Sequence, residues 1–271
     1  MFWLRPKAAL CHNHLVMDRK EAAARAFRMS LAEVRERVQN ALLLAGAVML
    51  ASAPMFYYQF SHLMGSVFKK VPTEKQLQLL SVGQALIIFA LALLCSLVGF
   101  LYAERLSLPG FGKISDLKRW LPAAVGLGLA LLLPWYFLSD RFLMGNIPEA
   151  YPGYWPWALS LAVGNALSQE VVARFGLLSI GVYLLRWRGY NGHPTAAIAV
   201  VSLFATVCSL LFLVRLNLSI PVSPARLMAS LAAVFILQWV LAEVYIRKGL
   251  VPAMALHLGL GARLIVYALM F

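Results

Sequence analysis

The segment Ser168-Gln169-Glu170-Val171-Val172-Ala173-Arg174 places a carboxylate and a guanidinium inside a long apolar run. Glu170 and Arg174 are four residues apart, so on a helix they share one face and can pair. At bilayer depth each charge costs at least ~2.5 to 3.5 kcal/mol on insertion scales. A feature that expensive either carries chemistry or sets the register between helices, since a buried ion pair specifies geometry more than it stabilises.

Later apolar runs carry their own polar residues. Thr206 and Cys208 share one, and an intramembrane cysteine usually behaves as a small buried hydrophobe. Gln238 and Glu243 lie in the next, with Arg247 and Lys248 just beyond. Glu243 and Arg247 stand in the favourable i,i+4 order and read as a pair near the membrane interface. His257 and Arg263 lie in the last run, where Gly259 and Gly261 permit close helix packing. His257 is placed to face Glu170 across a bundle. One histidine and one glutamate do not make a metal site, which takes at least three protein ligands. The cysteines Cys11, Cys95 and Cys208 have no CxxC spacing, so neither a disulfide framework nor a zinc motif is present.

The elements that carry these residues belong to a membrane. Of 271 residues, 62% are hydrophobic and 13% charged, against about 45 to 50% and 25% in soluble domains. Seven apolar segments follow one another, approximately 38–60, 77–103, 120–138, 154–185, 195–214, 225–246 and 250–270. Each is long enough to cross a ~30 Å core at ~1.5 Å per residue. The fold class is an all-α, polytopic transmembrane bundle of about seven spans. It has eight if 154–185 folds as two helices around Gly176. No period of 20–50 residues marks a repeat.

Ahead of the spans, residues 1–37 form a basic arm, with 38–271 as the transmembrane domain. Residues 18–37 read as a surface helix, either interfacial or partner-bound, and Ser30 with Glu33 form a capping box at which it restarts. The net charge of +13 sits in this arm and in short loops, which points to anionic headgroups and topology rather than nucleic acid. With the N-terminus inside, the inside segments carry 16 Lys and Arg and the outside segments six. The positive-inside rule therefore predicts N-in. A bacterial inner membrane is the simplest location and an organelle membrane the next. The loop from Asp140 to Pro152 is turn-rich, and Tyr151, Tyr154, Trp155 and Trp157 read as an interfacial aromatic belt.

Taken in order, the polar residues resemble the motifs of the CPBP family, the CAAX-processing and bacteriocin-processing (Abi-type) intramembrane proteases. That family carries Glu-Glu-x-x-x-Arg, then Phe-x-x-x-His, then His-x-x-x-Asn or -Asp on successive helices. Gln169-Glu170-Val-Val-Ala-Arg174 resembles the first, Phe204-Ala-Thr-Val-Cys208 the second, and His257-Leu-Gly-Leu-Gly261 the third. The resemblance covers about 150–271. It implies a polar cavity among the three helices bearing the motifs, with Gln169, Glu170, Arg174, Cys208 and His257 at its functional positions.

The same resemblance implies that the chemistry is degenerate. The family's first glutamate activates water with help from the second-motif histidine, and here those positions hold Gln169 and Cys208. An amide does not take a proton from water at neutral pH, so a general base is lost. Gly261 replaces a side chain that could bind an oxyanion. Glu170 does not substitute for position 169, because successive helical residues point about 100° apart. The expectation is a non-catalytic scaffold or accessory subunit among other membrane proteins and lipids, with Glu170 and Arg174 as a structural ion pair and no metal or cofactor. The remaining cavity would hold a lipid, quinone, pigment or peptide. The alternative is a working endopeptidase that uses Glu170 and His257 with altered chemistry.

Overall fold

The computed structural model describes residues 30–63, 72–112, 114–146, 148–217 and 223–270. Two units are distinguished, Met1–Gln39 and Asn40–Phe271. Of the arm helix expected over 18–37, the part before Ser30 lies outside the described residues, as does Cys11.

The described secondary structure is helical throughout. The long helices are α1 (Leu31–Tyr58), α2 (Glu74–Tyr102), α3 (Ile114–Ala130), α4 (Trp155–Trp187), α5 (Thr195–Asn217), α6 (Pro224–Lys248) and α7 (Leu250–Met270). Six helical stretches are long and apolar enough to cross a membrane, and the shorter apolar stretch Thr195–Leu211 belongs to α5. Large apolar side chains such as Leu43, Leu79, Phe137 and Val200 stand outward, mostly open to the surroundings. Water would oppose that much exposed hydrocarbon, whereas lipid matches it. The chain is a multi-pass membrane protein with an all-α bundle.

The helix limits follow from local chemistry. α1 starts after Ser30, whose Oγ accepts from the Glu33 backbone N–H while Glu33 Oε2 accepts from the Ser30 N–H. That is the expected capping box. Thr73 and Gln76 make the same reciprocal pair ahead of α2. Ser223 caps α6, with Pro224 at its first position, where the missing N–H would have no helical partner anyway. α6 stops at Gly249, whose φ of 100° is open to glycine and strained for other residues. A Cβ there would also lie 2.5 Å from the Gly112 nitrogen.

α4 does not split at Gly176. It runs unbroken from Trp155 to Trp187, so an eighth crossing is not formed there. Instead it widens into a π-helix over Glu170–Leu178, within which Gly176 lies against Cys95 of α2. π segments are rare and concentrate where a helix must re-aim side chains. Here the widened segment begins at the buried carboxylate and includes Arg174.

α7 is the central element, packed on α3 and on the first half of α4. Small residues make this possible. A Cβ on Gly128 of α3 would collide with the Leu256 carbonyl oxygen and lie 2.9 Å from Gly259 Cα. A Cβ on Gly259 would lie 2.7 Å from the Val125 oxygen. Backbone meets backbone at this crossing, as in other small-residue helix pairs in lipid. The main apolar core gathers Val171, Phe175, Leu178, Ile198, Tyr245 and Leu250 from α4, α5, α6 and α7.

Candidate functional site

The widened part of α4 carries Glu170 and Arg174 into the bundle, where both are buried at 0 and 1% exposure. Arg174 Nη1 lies 3.3 Å from Glu170 Oε1, at ion-pair distance. From α7, His257 brings Nδ1 to 2.8 Å from the same oxygen. A carboxylate only accepts, so this contact assigns the Nδ1 proton to the imidazole. From α6, Gln238 receives the other arm of the guanidinium. Arg174 Nη2 donates to the Gln238 backbone oxygen at 3.3 Å and to its side-chain Oε1. Four polar residues thus tie three helices together at one depth.

The cluster is tightly held but incompletely satisfied. Glu170 Oε2 and Arg174 Nε are buried without a hydrogen-bond partner among the described residues. In a low-dielectric interior each such atom makes the network more sensitive to loss of a partner.

Beside the cluster lies a cavity of about 150 Å³. Its polar walls are Asn165 and Gln169 of α4, Ser209 of α5, Gln238 of α6, and His257 and Arg263 of α7. The helices bearing the three motif-like segments therefore converge on one polar cavity. Glu170 and Arg174 stay behind its wall, while Gln169 lines it. Binding sites for drug-sized ligands usually span about 300 to 1,000 Å³. This cavity suits a few waters or a small polar group better than a quinone, pigment or peptide.

Cys208 departs from the sequence expectation. Cys208 is exposed on the outer surface of α5 and lines no part of the cavity, so it is neither a buried hydrophobe nor a neighbour of Glu170. α5 carries Ser202, Thr206 and Ser209 at i, i+4 and i+7, and that face, not the one bearing Cys208, turns into the bundle. The amide that bonds Arg174 is Gln238 of α6. Gln169 sits one residue before Glu170, and that ~100° turn faces it into the cavity instead.

A second buried carboxylate escaped sequence reasoning. Asp140, at the end of the apolar stretch Leu117–Asp140, is 2% exposed. Arg263 Nε stands 3.0 Å from its Oδ2, and the Tyr151 hydroxyl donates to its Oδ1 at 2.6 Å. Tyr151 is therefore an internal hydrogen-bond donor rather than part of an interfacial belt, although Tyr154 and Trp155 are exposed as a belt requires. Arg263 also lies 5.7 Å over the Trp135 ring. A lone acid ending one span and a lone arginine in another each need a partner at that depth, and this was the available signal.

Burial, followed by the charge of Asp140, pushes the Tyr151 hydroxyl above its ordinary value. A group raised on folding adds stability below its unfolded pKa of about 10 and loses it as pH rises past that value. Tyr151→Phe should cost about 1.5 to 3 kcal/mol at neutral pH, as for a hydrogen bond to a charged group. It should also flatten the alkaline loss of stability. Thermal unfolding of both proteins in detergent, at pH about 8 and about 10.5, measures both effects.

Among the described residues, no three His, Cys, Asp or Glu side chains come together as a metal donor set. No protein-family profile, curated protein or solved structure matches the chain.

Proposed function

We propose that the chain is a catalytically degenerate, CPBP-like membrane protein that acts as a non-catalytic scaffold or accessory subunit of a membrane protein complex. The observation that carries this reading is the division of labour between positions 169 and 170. The residue lining the cavity is an amide, Gln169. The carboxylate next to it in sequence, Glu170, is fully buried behind the wall and engaged by Arg174 and His257. Charge at this site binds helix to helix, and among the described residues no carboxylate base lines the cavity to activate water. The small cavity supports the same reading. The partners are other membrane subunits and lipids, with the N-terminus on the positive-inside face of a bacterial inner or organelle membrane.

Extraction of the tagged chain from its own membrane in mild detergent tests this. A stoichiometric membrane protein companion is expected beside the 30.0 kDa chain. A monomer without a companion overturns the scaffold.

A second reading has one observation in its favour. The Glu170–His257 contact places a carboxylate-oriented imidazole on a cavity wall. That arrangement is how a histidine base is held in hydrolases. An intramembrane endopeptidase of altered chemistry would then lose its activity in Glu170→Gln and in His257→Ala. Retention of biological activity in both variants removes this reading.

A further inference from the structure

Away from the central cavity, α3, α6 and α7 enclose a groove of about 400 Å³. Its length is apolar: Ala124 and Leu127 of α3, Val240 and Val244 of α6, and Leu256 of α7. One end is cationic. Lys248 Nζ stands 3.8 Å over the Trp120 ring, and the Arg119 guanidinium 5.5 Å from it. Arg247 completes the cluster, bonded to Glu243 at 3.2 Å with its side chain 69% exposed.

The acid at this end is already shared. Glu243 Oε2 also meets His193 Nε2 at 3.4 Å, so it answers Arg247 and His193 rather than Lys248 or Arg119. No carboxylate among the described residues pairs with Lys248 or Arg119, and both lie beside Trp120, a residue type favoured at the headgroup level.

From these observations we infer that the groove is a site for an anionic phospholipid. The phosphate sits among Arg119, Arg247 and Lys248, and one acyl chain runs along the groove between α3 and α6. The dimensions fit. From Lys248 to Val240 the wall is about 12 Å long at ~1.5 Å per residue, close to the ~15 Å half-thickness of a hydrocarbon core. The cations supply what a phosphate needs, and the apolar walls would repel a free polar anion. Basic pockets between spans are a general route to retaining anionic lipids. This inference does not depend on the scaffold reading and survives its failure.

Native mass spectrometry of the full chain provides the test. The chain is exchanged into mixed micelles with equal amounts of phosphatidylglycerol and phosphatidylcholine of identical acyl chains. With three cations at the phosphate, the wild-type chain should retain phosphatidylglycerol at least about fivefold over phosphatidylcholine. The variant R119Q/R247Q/K248Q should fall to within about twofold of parity. A variant with the same charge loss elsewhere, K75Q/R141Q/R226Q, should keep the wild-type preference. Ala123→Trp, which narrows the groove with its cations intact, should lose the lipid adduct. Added glycerol phosphate should not displace the lipid. Equal retention of both lipids by the wild type overturns the site. So does an unchanged preference in the first variant, an equal loss in the charge-matched variant, an intact adduct in Ala123→Trp, or displacement by glycerol phosphate.

Discussion

Arg174→Ala should destabilise the bundle by about 3 to 5 kcal/mol, the usual cost of removing one partner from a buried pair. The substitution leaves Glu170 buried, with His257 as its remaining contact. It also strips the Gln238 carbonyl and side chain of their donor on α4. A packing defect adds to this, because Arg174 is the largest fully buried side chain among the described residues. Folding stabilities of membrane proteins are of the order of ~10 kcal/mol, so the loss would be visible as poor recovery and an early transition in SDS titration of mixed micelles. Arg174→Lys should recover little. An ammonium group cannot reach Glu170 and both Gln238 oxygens with the guanidinium's planar fork. A loss under about 1 kcal/mol in Arg174→Ala would mean that the pair does not brace the helices.

Gly128→Ala should cost about 3 kcal/mol, at the upper end for overpacking, although it adds one methyl group. The added carbon would meet the Leu256 carbonyl oxygen and the Gly259 and Leu260 backbone. Backbone atoms in a helix cannot swing aside as a flexible side chain can, so α3 and α7 must separate. Because α7 also carries His257, that separation pulls on the charge cluster. Gly126→Ala, two residues earlier, meets nothing within 4 Å and serves as the control. It should be neutral or slightly stabilising, since alanine favours helix. Comparing their transitions in the same SDS titration isolates the crossing. Equal stability of the two variants would show that the helices are not in close contact there.

Several parts of this structure could be read from sequence because the responsible forces are local or of a single kind. Hydrocarbon composition alone identified the membrane bundle. The Ser30–Glu33 box set the start of α1, and Gly249 stands where α6 gives way to α7. The i,i+4 spacing of Glu170 and Arg174 predicted their pairing, and His257 was expected to face Glu170 from a last run whose glycines permit close packing. What stayed hidden depends on the rotation of each helix about its axis. An amphipathic soluble helix declares its buried face by hydrophobicity; in α5 the mark is the subtler stripe of Ser202, Thr206 and Ser209, which turns Cys208 outward and was masked by the motif-like spacing of Phe204 and Cys208. Gln238 gave no sign of its partner, and Asp140 only that it needed one. Gln238 reaches Arg174 across 64 residues of chain, and Asp140 depends on both Tyr151 and Arg263. The π widening of α4 at Glu170 has no sequence signal that we can name.

The brace and the catalytic readings separate most directly in one protein, the triple variant E170Q/R174M/Q238L. It replaces the charge network with neutral groups of similar volume, and such exchanges are often neutral or stabilising where single deletions are not. The measurement is the SDS-titration midpoint together with capture of the membrane partner from the native membrane. If Glu170 and Arg174 hold helices together, the variant stays within about 1 kcal/mol of the wild type and keeps its partner and its biological activity. A variant that folds as stably as the wild type but loses its activity would contradict this, and would place chemistry rather than architecture at Glu170.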